Sequence, residues 1–247
     1  MAVLFSSAPR IAIGLAPEGV AACRSVGKSL EVREHAAEPA FERDWRPALA
    51  CLDELLAEGR SRGARLTVAL SHSLTRFLGV PWSDELMDRR RAQHYLRAQF
   101  AAVFGEVSEQ WTFAAEDAPR GQPRLACAVD DELLAALHRT AQAQGARIES
   151  IAPWLVTAFN RACEGMASDG WFAAIEPGRL ALVEVRAGGA RQIALQNWSG
   201  DCAPVLERSV SRTVLRTGSA SGLPVLVADL TQGGGRTWLA AMAEAAT

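Results

Sequence analysis

The sequence is short of the signatures that most directly declare a function. It has no Cys-x-x-Cys pair, and its five cysteines, Cys23, Cys51, Cys127, Cys163 and Cys202, are odd in number, widely spaced and set mostly in apolar runs. That spacing argues against a disulfide framework or a zinc site and reads as small buried hydrophobes in a reducing compartment. No apolar run approaches the ~18 to 20 residues of a membrane span. The short apolar start, Met1 to Ser7, carries no basic region. A protein of this kind is expected to be soluble, with no direct insertion, and to reach a membrane only through a partner. Neither charge sign dominates: the formal charge is -2 and the pI about 6.1. Nucleic acid and acidic membranes are therefore poor partners, since both demand clustered Lys and Arg. Lysine itself is nearly missing, with Lys28 the only one, and arginine supplies the positive charge. No G-x-S-x-G elbow and no Walker-type G-x-x-x-x-G-K-S/T run occurs.

What is present is a chain of 247 residues, 49% hydrophobic and 22% charged, long enough to bury one large core or two small ones. β-like runs at Arg10 to Leu15, Gly19 to Val26 and Ser29 to His35 predict a meander. Between Phe41 and Gly59, the helical spacing of Trp45, Leu49, Leu52, Leu55 and Leu56 predicts a helix, followed by a strand at Arg65 to Leu70. The middle section opens with a strand, Thr75 to Val80. Ser83 then reads as the N-cap of one long helix running to about Phe104, with Asp84 and Glu85 in its first turn. Strands at Gln110 to Ala115 and Arg124 to Val129 flank a Pro/Gly loop. A helix capped by Asp130 and ending at Gly145, a strand at Arg147 to Ile151, and a helix opened by Pro153 complete the section. The last section repeats the first: strands at Gly170 to Glu176, Arg179 to Ala187 and Arg191 to Trp198, a helix from about Ala203 to Arg216, a strand at Pro224 to Leu230 and a final helix from about Arg236. Three strands, helix, strand, helix thus occur twice, with no sequence identity between the copies.

The order β-β-β-α-β, used twice, is that of actin-like and ribonuclease-H-like folds, an analogy that fixes no function. Specific residues sharpen it. The run Thr75-Arg76-Phe77-Leu78-Gly79-Val80-Pro81-Trp82-Ser83-Asp84-Glu85-Leu86 resembles the strand, proline and acidic helix start that open the inserted subdomain of PilM proteins of type IV pilus assembly. It is similar, too, to the cytoplasmic domain of GspL proteins of type II secretion. Leu125 to Asp130, the helix to Gly145, and Arg147-Ile148-Glu149-Ser150-Ile151-Ala152-Pro153 are similar to the same families' strand, helix, glycine and strand. Together these segments cover roughly residues 65 to 165.

The resemblance implies an α/β protein of two ribonuclease-H-like (actin-like) lobes of mixed sheet with an inserted α+β subdomain. Residues 1–75 would form the first lobe, completed by about 146–165; residues 76–145 the insertion; and residues 166–247 the second lobe. It also implies a cytoplasmic scaffold peripheral to the inner membrane. The implied partners are a membrane-anchored assembly protein or its N-terminal peptide, and an assembly ATPase, and a homodimer is compatible with it; the peptide groove is expected between the first lobe and the inserted segment, about residues 76 to 150. PilM proteins bind ATP through an Asp-x-Gly-Ser turn, a second acidic turn and a glycine-rich loop. Here the first turn reads Ile11-Ala12-Ile13-Gly14-Leu15-Ala16-Pro17-Glu18-Gly19-Val20, and either register puts an alanine, Ala12 or Ala16, where the acid belongs. In the second turn Glu176 keeps an acid that can hold a metal through water, although Pro177 removes an amide and favours a tight hairpin. Gly233, Gly234 and Gly235, between a strand and a helix, are the best remaining nucleotide signal, with a plain loop as the favoured alternative.

Three further groups stand out. Ser71-His72-Ser73 follows a strand, but neighbours on a strand point to opposite faces, which disfavours a nucleophile–base pair. Arg89, Arg90 and Arg91 suit an acidic partner, with a solvated, partly paired helix face as the plainer account. Trp82 and Trp154 each flank a proline, as core or as the rim of a groove. The resulting expectation is a non-catalytic scaffold without a cofactor, with a nucleotide-binding ATPase of the same fold, using Glu176 and the glycine triplet, as the alternative.

Overall fold

The computed structural model describes residues 8–26, 29–38, 44–58, 61–163, 169–187, 189–218, 222–232 and 237–246. They fall into two compact units: Met1–Leu74 with Leu133–Thr157 and Gly233–Thr247, and Thr75–Glu132 with Ala158–Gln232.

The first unit is built on five strands: β1 (Arg10–Ala16), β2 (Gly19–Val26), β3 (Ser29–Ala36), β4 (Arg65–Leu70) and β8 (Arg147–Pro153). They lie in the order β3-β2-β1-β4-β8. The meander is antiparallel, whereas β4 pairs with β1 and β8 in parallel. The sequence explains the order of burial. β1 is apolar over all but its first residue and sits mid-sheet, while β3 alternates charge and lies exposed at the edge. Helix α1 (Arg46–Glu58) packs on β2 and β3 through Leu52, Leu55 and Leu56, the spacing that predicts it. Helix α6 (Trp238–Ala245) packs on β1 and β2. The sequence groups this helix with the last section, yet its contacts lie on the first sheet. Helix α3 (Asp131–Ala143) opens where Asp130 Oδ1 accepts from the Glu132 N–H. Helix α4 (Trp154–Cys163) follows β8.

The second unit holds two sheets. β5 (Thr75–Val80), β6 (Trp111–Ala115) and β7 (Arg124–Asp130) form an antiparallel sheet in the order β5-β7-β6. Helix α2 (Arg89–Phe104) covers it, burying Leu96 and Phe100 against Trp111 and Phe113. β9 (Gly170–Glu176), β10 (Arg179–Arg186), β11 (Gly189–Asn197) and β12 (Val225–Asp229) form the other sheet, ordered β11-β10-β9-β12, with α5 (Cys202–Thr217) on one face. The predicted repeat of elements is therefore also a repeat of topology, 3-2-1-4 in both units.

One predicted helix is two elements. Ser83 does cap, its Oγ accepting from the Glu85 N–H at 3.2 Å, but it caps only a 3-10 turn, Asp84–Met87. Asp88 then adopts an extended backbone, and its Oδ1 accepts from Arg90 N at 3.1 Å and Arg91 N at 2.9 Å, so α2 starts afresh. A carboxylate satisfying two first-turn amides is the stronger helix start.

Candidate functional site

The first turn is shaped by packing on all sides. Ser71 N donates to Leu15 O and Ala37 N to Glu18 O, at 2.9 and 2.8 Å, which holds the hairpin closed. Gly14 lies inside β1, where a Cβ would stand 2.7 Å from Leu239 O and 3.0 Å from Ala243 N of α6. Gly19, at φ +152°, would put a Cβ 2.5 Å from His35 O. Both glycines are therefore required by the close approach of α6 and of the β3 end.

The second turn, in the other unit, is a two-residue hairpin at Pro177-Gly178, with Gly178 at φ +72°. Trp198 binds it twice, its N–H donating to Gly178 O at 2.9 Å and its indole N–H to Glu176 O at 3.1 Å. Glu176 is 1% exposed. Gly233, Gly234 and Gly235 lie outside the described residues.

Ser71, His72 and Ser73 are all buried. Ser73 N donates to Ser71 Oγ at 3.1 Å, and the His72 ring rests on Trp154, centroids 5.5 Å apart. A serine this enclosed cannot meet a substrate from solvent. Trp154 is core at 2% exposure.

Trp82, by contrast, is half-buried at the surface of the second unit. The Arg124 guanidinium lies over its ring, 5.4 Å from the centroid, a cation–π contact. Arg124 is itself buried and donates through Nη2 to Ala118 O at 3.2 Å, with the Met87 sulfur at 4.0 Å. Arg124 thus joins Trp82 to Met87, which is 61% exposed. Arg89, Arg90 and Arg91 follow directly, all exposed; Arg91 Nε is 3.9 Å from Asp88, a loose i,i+3 pair. Met87 is the residue that sequence reasoning missed, and the signal for it was a methionine isolated between acidic and basic residues. Nearby, Glu116 accepts from Leu125 N at 2.8 Å, and burial pushes its pKa up. Burial also pushes the Cys127 thiol up to about 11, marking it as inert rather than nucleophilic.

No protein-family profile matches the sequence, and no curated protein does. Solved structures do. The cytoplasmic domain of EpsL, an inner membrane component of the type II secretion system of Vibrio cholerae, is similar at a TM-score of 0.59 and 13% identity, over 90% of this chain and 82% of that one. A Bacteroides thetaiotaomicron protein of unknown function with an actin-like ATPase fold matches at 0.57 and 11%, over 87% and 80%. The fold is actin-like. A chain of the PilM–PilN type IV pilus biogenesis complex matches at 0.56 and 15%, over 85% of this chain and 66% of that one. The similarity read from residues 65 to 165 thus extends, as structure, over most of the chain. At these identities the likeness is one of fold.

The nucleotide associated with the actin-like fold does not fit the first turn of this chain. Ala12 and Ala16 supply no carboxylate for a magnesium ion, and both are buried. No hydroxyl side chain stands between Ile11 and Val20. The space before Gly14 is filled by the α6 backbone. No phosphate chemistry follows from these residues.

Proposed function

We propose that this chain is a non-catalytic actin-like scaffold in a type IV pilus or type II secretion assembly platform. It works at the cytoplasmic face of the inner membrane, where it holds a membrane-anchored assembly protein or that protein's N-terminal peptide. One observation carries the reading: an actin-like fold, shared with structures of these two machines, whose first turn has alanine in place of the acid and a helix against its glycine. Among the described residues no helix is long and apolar enough to cross a membrane.

The docking surface we assign is the patch of Trp82, Met87, Arg89, Arg90 and Arg91. An exposed methionine beside an aromatic ring held by a buried arginine offers an apolar anchor, and the arginines steer acidic groups toward it. The test is co-purification with the inner-membrane proteins encoded beside this one. A single such protein should be retained by the wild type, and Trp82→Ala should weaken retention at least tenfold while leaving the thermal midpoint within a few degrees. Retention of none of them would refute the scaffold reading; retention unaffected by the substitution would refute only the surface.

A further inference from the structure

The two sheets repeat the order 3-2-1-4, but they stop at different places. In the first unit β4 carries a fifth strand, β8, paired in parallel along Arg65 to Leu70. In the second unit the equivalent strand, β12, ends the sheet: among the described residues β9 is its only partner. The side facing away from β9 is identifiable. Trp171 N donates to Pro224 O at 2.8 Å, so in this parallel pair the even-numbered residues face β9, and the N–H and C=O groups of Val225 and Val227 point outward. Their apolar side chains are exposed as well, Val225 by 38%, Leu226 by 36% and Val227 by 44%. A strand apolar on both faces and open along one edge has the composition of an interior strand.

The surface beside that edge has a charge. α5 and β12 enclose a groove of about 490 Å³ lined by Asp201, Ala203, Leu206, Glu207, Val210 and Val225. Asp229, at the end of β12, lies on the same side: it pairs with Ile175, whose side chain belongs to the cluster packed under α5. Arg208 and Arg212 of α5 line a separate cavity on the β11 side, with Trp198 and Ser199. The open edge is therefore apolar at its centre and acidic at its rim.

We infer that the β12 edge is a strand-docking site that takes an extended basic-apolar segment of a partner protein as the fifth strand of this sheet. The outward amides and carbonyls supply main-chain hydrogen bonds. Apolar side chains of the guest enter the groove over Leu206, Val210 and Val225, and lysine or arginine heads reach Asp201 and Glu207 while their stems cover apolar surface. Charge decides against a second copy. Antiparallel pairing of β12 with itself about Val227 would set Asp229 opposite the other copy's Val225 and leave the acidic groups of both rims without a basic partner, whereas a basic segment supplies one. The inference extends the scaffold reading to a second surface, distant in sequence from Trp82, and does not depend on which machine the chain serves.

The probe is a fluorescein-labelled peptide, Ser-Lys-Val-Val-Val-Arg-Ile-Ser, in which Lys, the middle Val and Arg share one strand face as the acids and the groove do, with a counterpart carrying Glu in place of Lys and Arg, measured by anisotropy against the whole chain. The basic peptide should bind saturably below about 1 mM and the acidic one at least tenfold more weakly. Val227→Pro removes one outward N–H without touching the bonds to β9 and should abolish binding. Glu207→Lys, on the exposed helix surface, should weaken it tenfold and covers the case in which the proline variant fails to fold. Equal binding of both peptides, binding indifferent to Glu207→Lys, or no binding below 1 mM would overturn the inference. So would a wild-type dimer by sedimentation that Val227→Pro dissociates. None of these measurements involves the Trp82 patch, so their failure would leave the co-purification result standing.

Discussion

At the scale of single residues, the most informative position is Gly14. The sequence presents it as the glycine of a phosphate turn, and the structure presents it as the floor on which α6 rests. Gly14→Ala would set a methyl 2.7 Å from a backbone oxygen that has no freedom to move. The expected loss of stability is about 1–3 kcal/mol, the range for forcing extra volume into a packed core, measurable by urea denaturation. An unchanged midpoint would mean that α6 does not bear on β1 as described. Glu116 makes a different prediction. Its folded-state pKa is raised by burial, against the weaker lowering effects of the Leu125 amide and Arg124. A carboxyl with a raised pKa contributes stability that is fully present below its unfolded pKa and is lost as pH rises through the folded value. Glu116→Gln keeps an acceptor for Leu125 N and has no charge to bury. The variant should therefore be the more stable at pH 7, with the advantage shrinking as pH falls through the carboxylate range. Thermal melts across pH would show it, and a difference that grows in acid would contradict the assignment.

At the scale of elements, the split of the predicted helix at Asp88 shows what local sequence does and does not contain. Ser83 followed by Asp84 and Glu85 is a sound helix start by composition, and the backbone does turn there. Asp88 is an equally sound start five residues later, and propensity alone does not rank the two. The folded chain realises the start at Asp88, whose carboxylate satisfies two first-turn amides against one at Ser83, and Leu96 and Phe100 of that helix meet Trp111 and Phe113. Asp88→Ala should cost about 1 kcal/mol, as N-cap losses do, whereas Ser83→Ala, which frees one amide of a single 3-10 turn, should cost less. Chemical denaturation of both variants gives the comparison, and the reverse order would identify Ser83 as the true cap. The strands were more legible. β2, β4 and β5 match their predicted spans residue for residue, because turn residues bound them and their apolar content leaves no rival conformation.

At the scale of the whole molecule, the prediction concerns nucleotide. A protein that binds a ligand at 1,000 times its Kd gains about 4 kcal/mol. For a chain of this size that corresponds to roughly 8–16 °C of melting temperature. Millimolar Mg-ATP should leave the thermal midpoint of this protein unchanged, since alanine stands at both candidate acid positions, Ala12 and Ala16, and α6 packs against Gly14. A shift of that size, or micromolar binding by calorimetry, would reinstate the ATPase alternative, and Glu176→Ala would then be the variant to examine.

The sequence by itself determined the repeated order of elements and the actin-like class that follows from it. It also determined the missing acid at Ala12 or Ala16, since absence of a carboxylate is a matter of covalent identity and needs no geometry. Only the tertiary structure decided what Gly14 and Gly19 are for, which tryptophan is core and which is surface, that Met87 joins Trp82 through Arg124, and that, among the described residues, β12 ends its sheet where β4 does not. Each of those depends on which atoms approach from distant parts of the chain. Local pattern records the period of a helix or a strand, but not the neighbour that fills the space in front of Gly14 or leaves open the space beside Val227.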